Sequence, residues 1–164
     1  MNLATSRRPV GAAAETMFLH AGQLLALAGE TRGIHTIVGS CVTVCLWHPG
    51  LGVAGINHYV LPTRPATNTN ATRPLSYGEV AIPALLDRVL ALGALTSQLE
   101  AKVFGGAQLA GDARSAPLGA RNVQFAFDEL AARGVQIVAH DVGGLRGRKL
   151  IFDPRDGSVL VKML

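Results

Sequence analysis

The sequence predicts a mixed α/β domain, and three observations carry that prediction. Short apolar runs rich in β-branched residues and punctuated by glycine fill the span from Met17 to Leu61. Two stretches with apolar residues at helical spacing then alternate with further β-like runs, and the chain closes on a hairpin pattern. The composition is that of a folded chain: 164 residues, 49% hydrophobic and 16% charged, enough to bury about 70% of the surface that the unfolded chain exposes. Nineteen Gly and eight Pro fall without a triplet period, and the mean hydropathy is +0.31, which excludes collagen and disorder.

In chain order, Met1 to Ala14 is small, polar and aperiodic, a flexible tail ahead of a single domain over residues 15–164. Met17 to Leu19, Gln23 to Ala26, Ile34 to Val38, Val42 to Trp47 and Val53 to Leu61 are too short for helices and read as strands. Pro62 to Ser76, dense in Thr, Asn, Pro and Arg, is a long irregular stretch, either a mobile binding loop or an insertion. Ser76 and Glu79 form an S-x-x-E capping box ahead of Val80, Ile82, Leu85, Leu86, Val89 and Leu90 at helical spacing, ending at Gly93. Pro83 conflicts with that start, so the helix begins nearer Ile82 or is kinked. Leu99 to Phe104 reads as a buried strand, Asn122 to Arg133 as a helix stopped by Gly134, and Val135 to Ala139 as a strand. Lys149 to Phe152 and Val159 to Leu164 make a hairpin turning through Asp156 and Gly157.

Fifteen Lys and Arg against eleven Asp and Glu give a net charge of +4 and a pI near 9.6. The excess is spread along the chain, and Arg146, Arg148 and Lys149 are the nearest thing to a basic cluster. Without a basic stripe or interleaved aromatics this argues against a nucleic-acid partner and for weak attraction to acidic protein surfaces. Two cysteines, Cys41 and Cys45, make no disulfide framework, and a cytoplasmic setting is expected. Arg7 and Arg8 imitate the start of a signal peptide, but Pro9, Glu15 and His20 interrupt the apolar stretch that should follow. No apolar run reaches membrane-spanning length. The sequon Asn70-Ala71-Thr72 has no meaning without secretion.

Chemistry is expected where Gly39-Ser40-Cys41 feeds the strand starting at Val42. A nucleophile there stands at a sheet end beside backbone amides free to stabilise an oxyanion. His58, on the next strand beyond a turn near residue 50, comes close to opposite Cys41 if the two strands pair, and an imidazole there lowers a thiol pKa from ~8.5. The plainer alternative makes Cys41 a small buried hydrophobe and His58 a satisfied strand histidine. A zinc set of Cys41, Cys45, His48 and His58 is a rival, but two cysteines four apart on a strand stand ~13 Å apart, against Zn–S bonds of ~2.3 Å. Ser40 lacks the G-x-S-x-G frame of a serine nucleophile and shapes the loop instead. The pairs Gly105-Gly106 and Gly143-Gly144 lack a phosphate-binding frame, so close backbone approach or positive dihedrals explain them. His20, His35, His48 and His140 read as surface or satisfied histidines.

Several runs taken together are more specific: Val38-Gly39-Ser40-Cys41-Val42, Asn57-His58-Tyr59-Val60-Leu61-Pro62, Tyr77-Gly78-Glu79, Ala101 to Ala107, Gly119-Ala120-Arg121-Asn122-Val123, Asp141-Val142-Gly143-Gly144 and Gly147-Arg148-Lys149. In this order and spacing, from about Met17 to the C-terminus, the chain resembles the CheD family of chemoreceptor glutamine deamidases. The resemblance implies a layered α/β/β/α fold akin to the deamidating toxins and a cysteine hydrolase converting glutamine to glutamate on methyl-accepting chemotaxis receptors. It implies Cys41 as nucleophile, His58 as general base and Thr36 as the residue orienting that base, with His35 at the alternative position. No metal or organic cofactor is required. A phosphatase of the CheC type is an implied partner, which leaves a binding module as the alternative to an enzyme, and a hydrolase of receptor methyl esters as another.

Overall fold

The computed structural model describes residues 15–67, 72–109 and 117–164. The tail expected over Met1 to Ala14 therefore lies outside the described residues, as do positions 68–71 of the long irregular stretch. In chain order the strands β1 (Thr16–Phe18), β2 (Gln23–Ala28), β3 (Gly33–Val38), β4 (Val42–His48) and β5 (Val53–His58) precede the helix α1 (Gly78–Ala91). Then come β6 (Glu100–Gly105), the helix α2 (Leu118–Ala132), β7 (Gln136–Val142), β8 (Arg148–Phe152) and β9 (Val159–Met163).

The strands form two sheets, one of four in the order β1-β3-β8-β9 and one of five in the order β2-β5-β4-β6-β7. β1 runs parallel to β3 and β6 parallel to β7, joined by α2 as the crossover, while the remaining neighbours are antiparallel. The mixed α/β class is the one expected. Both helices pack on the five-stranded sheet, so the layers of the described residues run helices, five-stranded sheet, four-stranded sheet. No described helix covers the outer face of the four-stranded sheet, where the α/β/β/α reading has one.

Two apolar cores follow from the period-two alternation of the central strands. Val42, Val44 and Leu46 of β4 face the helices and meet Ile82, Leu85 and Val89 of α1 and Val123, Ala126 and Leu130 of α2. Cys45 of β4, Ala54 and Ile56 of β5 and Phe104 of β6 face the other way, against Ile34, Val38, Leu150 and Phe152 of the smaller sheet. β5 is buried along its whole length, Asn57 and His58 included, which is why its run does not alternate between apolar and polar residues. Gly55 permits the close seating of α1, because a Cβ there would meet the side chains of Val89 and Leu85 at 2.6 and 2.8 Å.

The start of α1 differs from the capping box. Pro74–Ser76 forms a 3-10 turn, the Ser76 carbonyl accepts from the amides of Val60 and Leu61, and Tyr77 is the N-cap with no side-chain cap. The Glu79 carboxylate turns instead to Arg64, whose backbone amide and Nε donate to it at 2.7 and 2.9 Å. Pro83 does lie inside the helix and removes a hydrogen bond worth part of the ~3 kcal/mol that an interior proline costs. Burial of Ile82, Leu85, Leu86 and Val89, at about 1.5–3 kcal/mol each, outweighs that loss and carries the helix through. The second helix starts at Leu118, four residues ahead of Asn122. Gly119 masks that start in the sequence; a Cβ there would collide with the Gly106 and Ala107 carbonyls.

Candidate active site

The two strands flanking the turn at Gly39 to Cys41 belong to different sheets, so this turn is where the chain crosses from one sheet to the other. β4 and β5 pair antiparallel, Cys45 with Ile56 through His48 with Val53, and an isolated bridge joins Val42 to Tyr59. Continuing that register puts Thr43 across from His58, and Cys41 one step further along on the same face, a diagonal rather than a direct neighbour. Cys41 packs against the apolar cluster between the sheets. The expected pairing of these strands thus holds, with Cys41 and His58 offset by two residues.

Thr36 reaches the same space from the other sheet. Its Oγ1 lies 2.8 Å from His58 Nδ1 and 2.8 Å from the carbonyl oxygen of Leu19, and Thr36 is fully buried. The Leu19 carbonyl can only accept, so the single hydroxyl proton of Thr36 goes there, and His58 must donate its Nδ1–H to Thr36. Nε2 then carries the lone pair, and it is buried with no hydrogen-bond partner among the described residues. His35, the alternative to Thr36, faces the opposite side of β3, edge-on to Phe18 with ring centroids 5.0 Å apart.

Burial sets the charge state of the pair. The Cys41 thiol is pushed up from its ordinary value by burial, opposed by its own backbone N–H. This is the reverse of the lowering expected from a neighbouring imidazole. His58 is pushed down to about 4 by burial, with the charge of His20 adding to the effect. Both shifts favour the uncharged forms, so the resting site holds a neutral thiol and a neutral imidazole rather than a preformed ion pair.

The backbone around Cys41 is pinned from one side. The Gly39 carbonyl accepts from the Ala107 amide at 2.8 Å, the Cys41 carbonyl accepts from the Gly106 amide at 2.8 Å, and the Ser40 carbonyl accepts from Asn122 Nδ2 at 2.9 Å. Neither the Ser40 nor the Cys41 amide donates to a backbone or side-chain acceptor of another described residue. Gly105 and Gly106 adopt φ of +108° and +67°, and a Cβ on Gly105 would collide with the Cys41 carbonyl, so close approach and positive dihedrals do account for this pair. Arg148, buried at the start of β8, donates to Asp141 at 2.9 Å, to the Gly105 carbonyl at 3.3 Å and to the Gly143 carbonyl at 2.7 Å. The residue that looked like part of a basic cluster is a clasp on the same loops.

The other members of the zinc set are elsewhere. Cys45 is buried in the core between the sheets, and His48 lies at the far end of β4 with its Nε2 2.8 Å from Gln98 Oε1. His20 packs on Phe18 and His140 on Phe127. Asn122 and Tyr59 hydrogen-bond beside this turn, Asn122 Nδ2 to the Ser40 carbonyl and the Tyr59 hydroxyl to the Asn122 carbonyl, and sequence reasoning gave neither a role. Asn122 entered the sequence reading only as the start of the expected helix and within the Gly119 to Val123 run; the structure sets it on the buried face of α2 with Gly119, Ala126 and Leu130.

Comparison with known proteins bears on the chain as a whole. Residues 60–163 match the family model described as CheD chemotactic sensory transduction. The chain is 43% identical over 98% of its length, and 92% of the relative's, to a protein of Anaeromyxobacter dehalogenans named "Probable chemoreceptor glutamine deamidase CheD 1". A protein of Trichlorobacter lovleyi bearing the name without the number is 42% identical over 80% of this chain and 81% of the relative. One of Bordetella petrii is 36% identical over 84% of this chain and 61% of the relative.

Proposed function

The chain belongs to the CheD family, and from that premise we propose that it deamidates chosen glutamines on the cytoplasmic part of methyl-accepting chemotaxis receptors, with Cys41 as nucleophile, His58 as general base and Thr36 orienting the base. It is an amidohydrolase acting on glutamine side-chain amides. The observation that carries the residue assignment is the chain Leu19 carbonyl, Thr36 hydroxyl, His58 Nδ1, which leaves a bare, buried Nε2 on the face that Cys41 occupies.

The reaction begins from the neutral pair. His58 Nε2 takes the Cys41 thiol proton as the sulfur attacks the amide carbon, so that thiolate is generated only as it is consumed. The C=O electrons move onto oxygen, and the free amides of Cys41 and Ser40 donate to that oxyanion. Collapse breaks the C–N bond, and the imidazolium gives its proton to the departing nitrogen, releasing ammonia and leaving a thioester. Water then gives a proton to Nε2 and attacks the thioester; the second tetrahedral species collapses, the thiol regains its proton and glutamate remains on the receptor. Through both halves Nδ1–H stays donated to Thr36, which holds the ring in the one tautomer that can act.

The test is mass spectrometry of a receptor cytoplasmic fragment incubated with the protein, following the conversion of glutamine to glutamate. Wild type is expected to convert specific sites, Cys41→Ala and His58→Ala to convert none, and Thr36→Val to convert them at least tenfold more slowly, a part of the ~10²–10⁴ that a positioned base supplies. Well-folded wild type that leaves every receptor glutamine intact would sink the proposal and move weight to binding of a CheC-type phosphatase as the role.

A further inference from the structure

We infer that Asn122, a residue of α2, is a positioning residue that aims the Cys41 amide at the oxyanion by locking the Ser40–Cys41 peptide. The inference deepens the proposed deamidase reading and rests on it for the identity of the nucleophile. Asn122 is fully buried, and its Nδ2 donates to two carbonyls, Ser40 and Val60, both at 2.9 Å. The orientation of its amide is fixed by those partners, since the reverse placement would set three oxygens together. Its backbone carbonyl in turn accepts the hydroxyl of Tyr59 at 2.5 Å. One side chain thus ties the residue before the nucleophile to the strand end two residues beyond the base, and anchors both on a helix.

A trans peptide is planar, with C=O and N–H pointing in opposite directions. Holding the Ser40 carbonyl toward α2 therefore turns the Cys41 N–H away from α2, and no acceptor on another described residue takes it. A donor beside the attacking sulfur is where the oxyanion forms when sulfur bonds to the carbonyl carbon. The neighbouring carbonyls of Gly39 and Cys41 are pinned by main-chain amides of Ala107 and Gly106, but the Ser40 carbonyl is held by a side chain alone. This peptide is accordingly the one that a substitution can release. The price of the arrangement is visible in Asn122 Oδ1, which is buried with no partner among the described residues; the position tolerates a stranded acceptor in order to keep two donors.

The experiment compares two reactions of Cys41 in the full chain. Acyl transfer from p-nitrophenyl acetate passes through a tetrahedral oxyanion, whereas alkylation by iodoacetamide does not, and both need the same sulfur to give up its proton as it attacks. Asn122→Leu removes the donors at similar volume, and Asn122→Asp keeps the shape while removing them. We expect the ratio of acylation to alkylation, read at Cys41 by mass spectrometry, to fall about 10- to 100-fold in both variants, the scale of a misaimed oxyanion donor. A merely structural role lowers both rates together and leaves the ratio at its wild-type value, and that result in either folded variant overturns the inference. Because neither reagent involves a receptor, a wild type that acylates normally yet deamidates no receptor refutes the proposed substrate without touching this assignment.

Discussion

At the scale of single residues, burial holds both members of the proposed pair, the Cys41 thiol and the His58 imidazole, toward their uncharged forms. A thiol and an imidazole that both titrate away from neutrality cannot form an ion pair at rest, so the proton must move during attack. The expected pH profile follows from the sign of the His58 shift. The base is functional while neutral, so activity should hold from neutral pH downward and fall only near pH 4, where His58 takes up a proton. An ordinary histidine would impose the same fall near pH 6.5. Stability has the matching signature: between pH 6.5 and about 4 the unfolded chain binds a proton at this position and the folded chain does not, so stability drops as pH falls through that window. Urea unfolding of wild type and His58→Asn across the window checks it, the wild type losing more on acidification than the variant.

The same residues mark how far the sequence could be read. Cys41 and His58 were legible because a nucleophile beside glycine and a histidine one strand away imply a geometry through the pairing rules alone. Thr36 came from the family resemblance, and the strand period then separates it from His35, since neighbours on β3 face opposite sides. Asn122 was not legible as a site residue. A buried asparagine on a helix announces only that its amide must find partners, and its two partners lie 82 and 62 positions away in the chain.

At the scale of elements, the turn into β4 and the glycine pair after β6 form one unit. Gly105 holds a φ that L side chains avoid, and its open side is filled by the Cys41 carbonyl. We expect Gly105→Ala to fold with a loss of about 1–3 kcal/mol from backbone strain and to cost far more in activity than that loss explains, because the alanine methyl displaces the nucleophile's own peptide. Denaturant midpoints set beside the alkylation rate of Cys41 measure the two effects separately. Helix boundaries were the poorest part of the reading. The Ser76 and Glu79 pattern has the form of a capping box, but its serine backbone is taken by a 3-10 turn and its glutamate by Arg64. Pro83 was a real anomaly that tertiary burial overrides.

At the scale of the whole molecule, what the sequence leaves open is which strands share a sheet. The pairings β4 with β5 and β8 with β9 are local and follow from their turns, whereas β3 finds β8 across most of the chain, Ile34 opposite Phe152. No period along one strand encodes a partner so distant. Arg148 fastens that long-range closure, reaching from the smaller sheet to the ends of β6 and β7. Its ion pair with Asp141 adds little, because that carboxylate is 45% exposed; the part-buried Gly143 carbonyl is the larger stake, at about 1–3 kcal/mol when left unpaired, whereas the Gly105 carbonyl keeps the Gly143 amide as a donor. Arg148→Met should therefore lower unfolding stability by about 2 kcal/mol or more, with Asp141→Asn costing much less, as chemical denaturation would show. No helix among the described residues is long and apolar enough to cross a membrane.

The division of the site between two sheets has a consequence for the newly made chain. In the proposed assignment His58 and Cys41 belong to the β4–β5 hairpin and Thr36 to the other sheet, so that hairpin alone holds the thiol and the base but lacks the hydroxyl that orients the ring. A hydrolase of this design would gain its oriented base only when the two sheets close on each other, and would lose that orientation when they part.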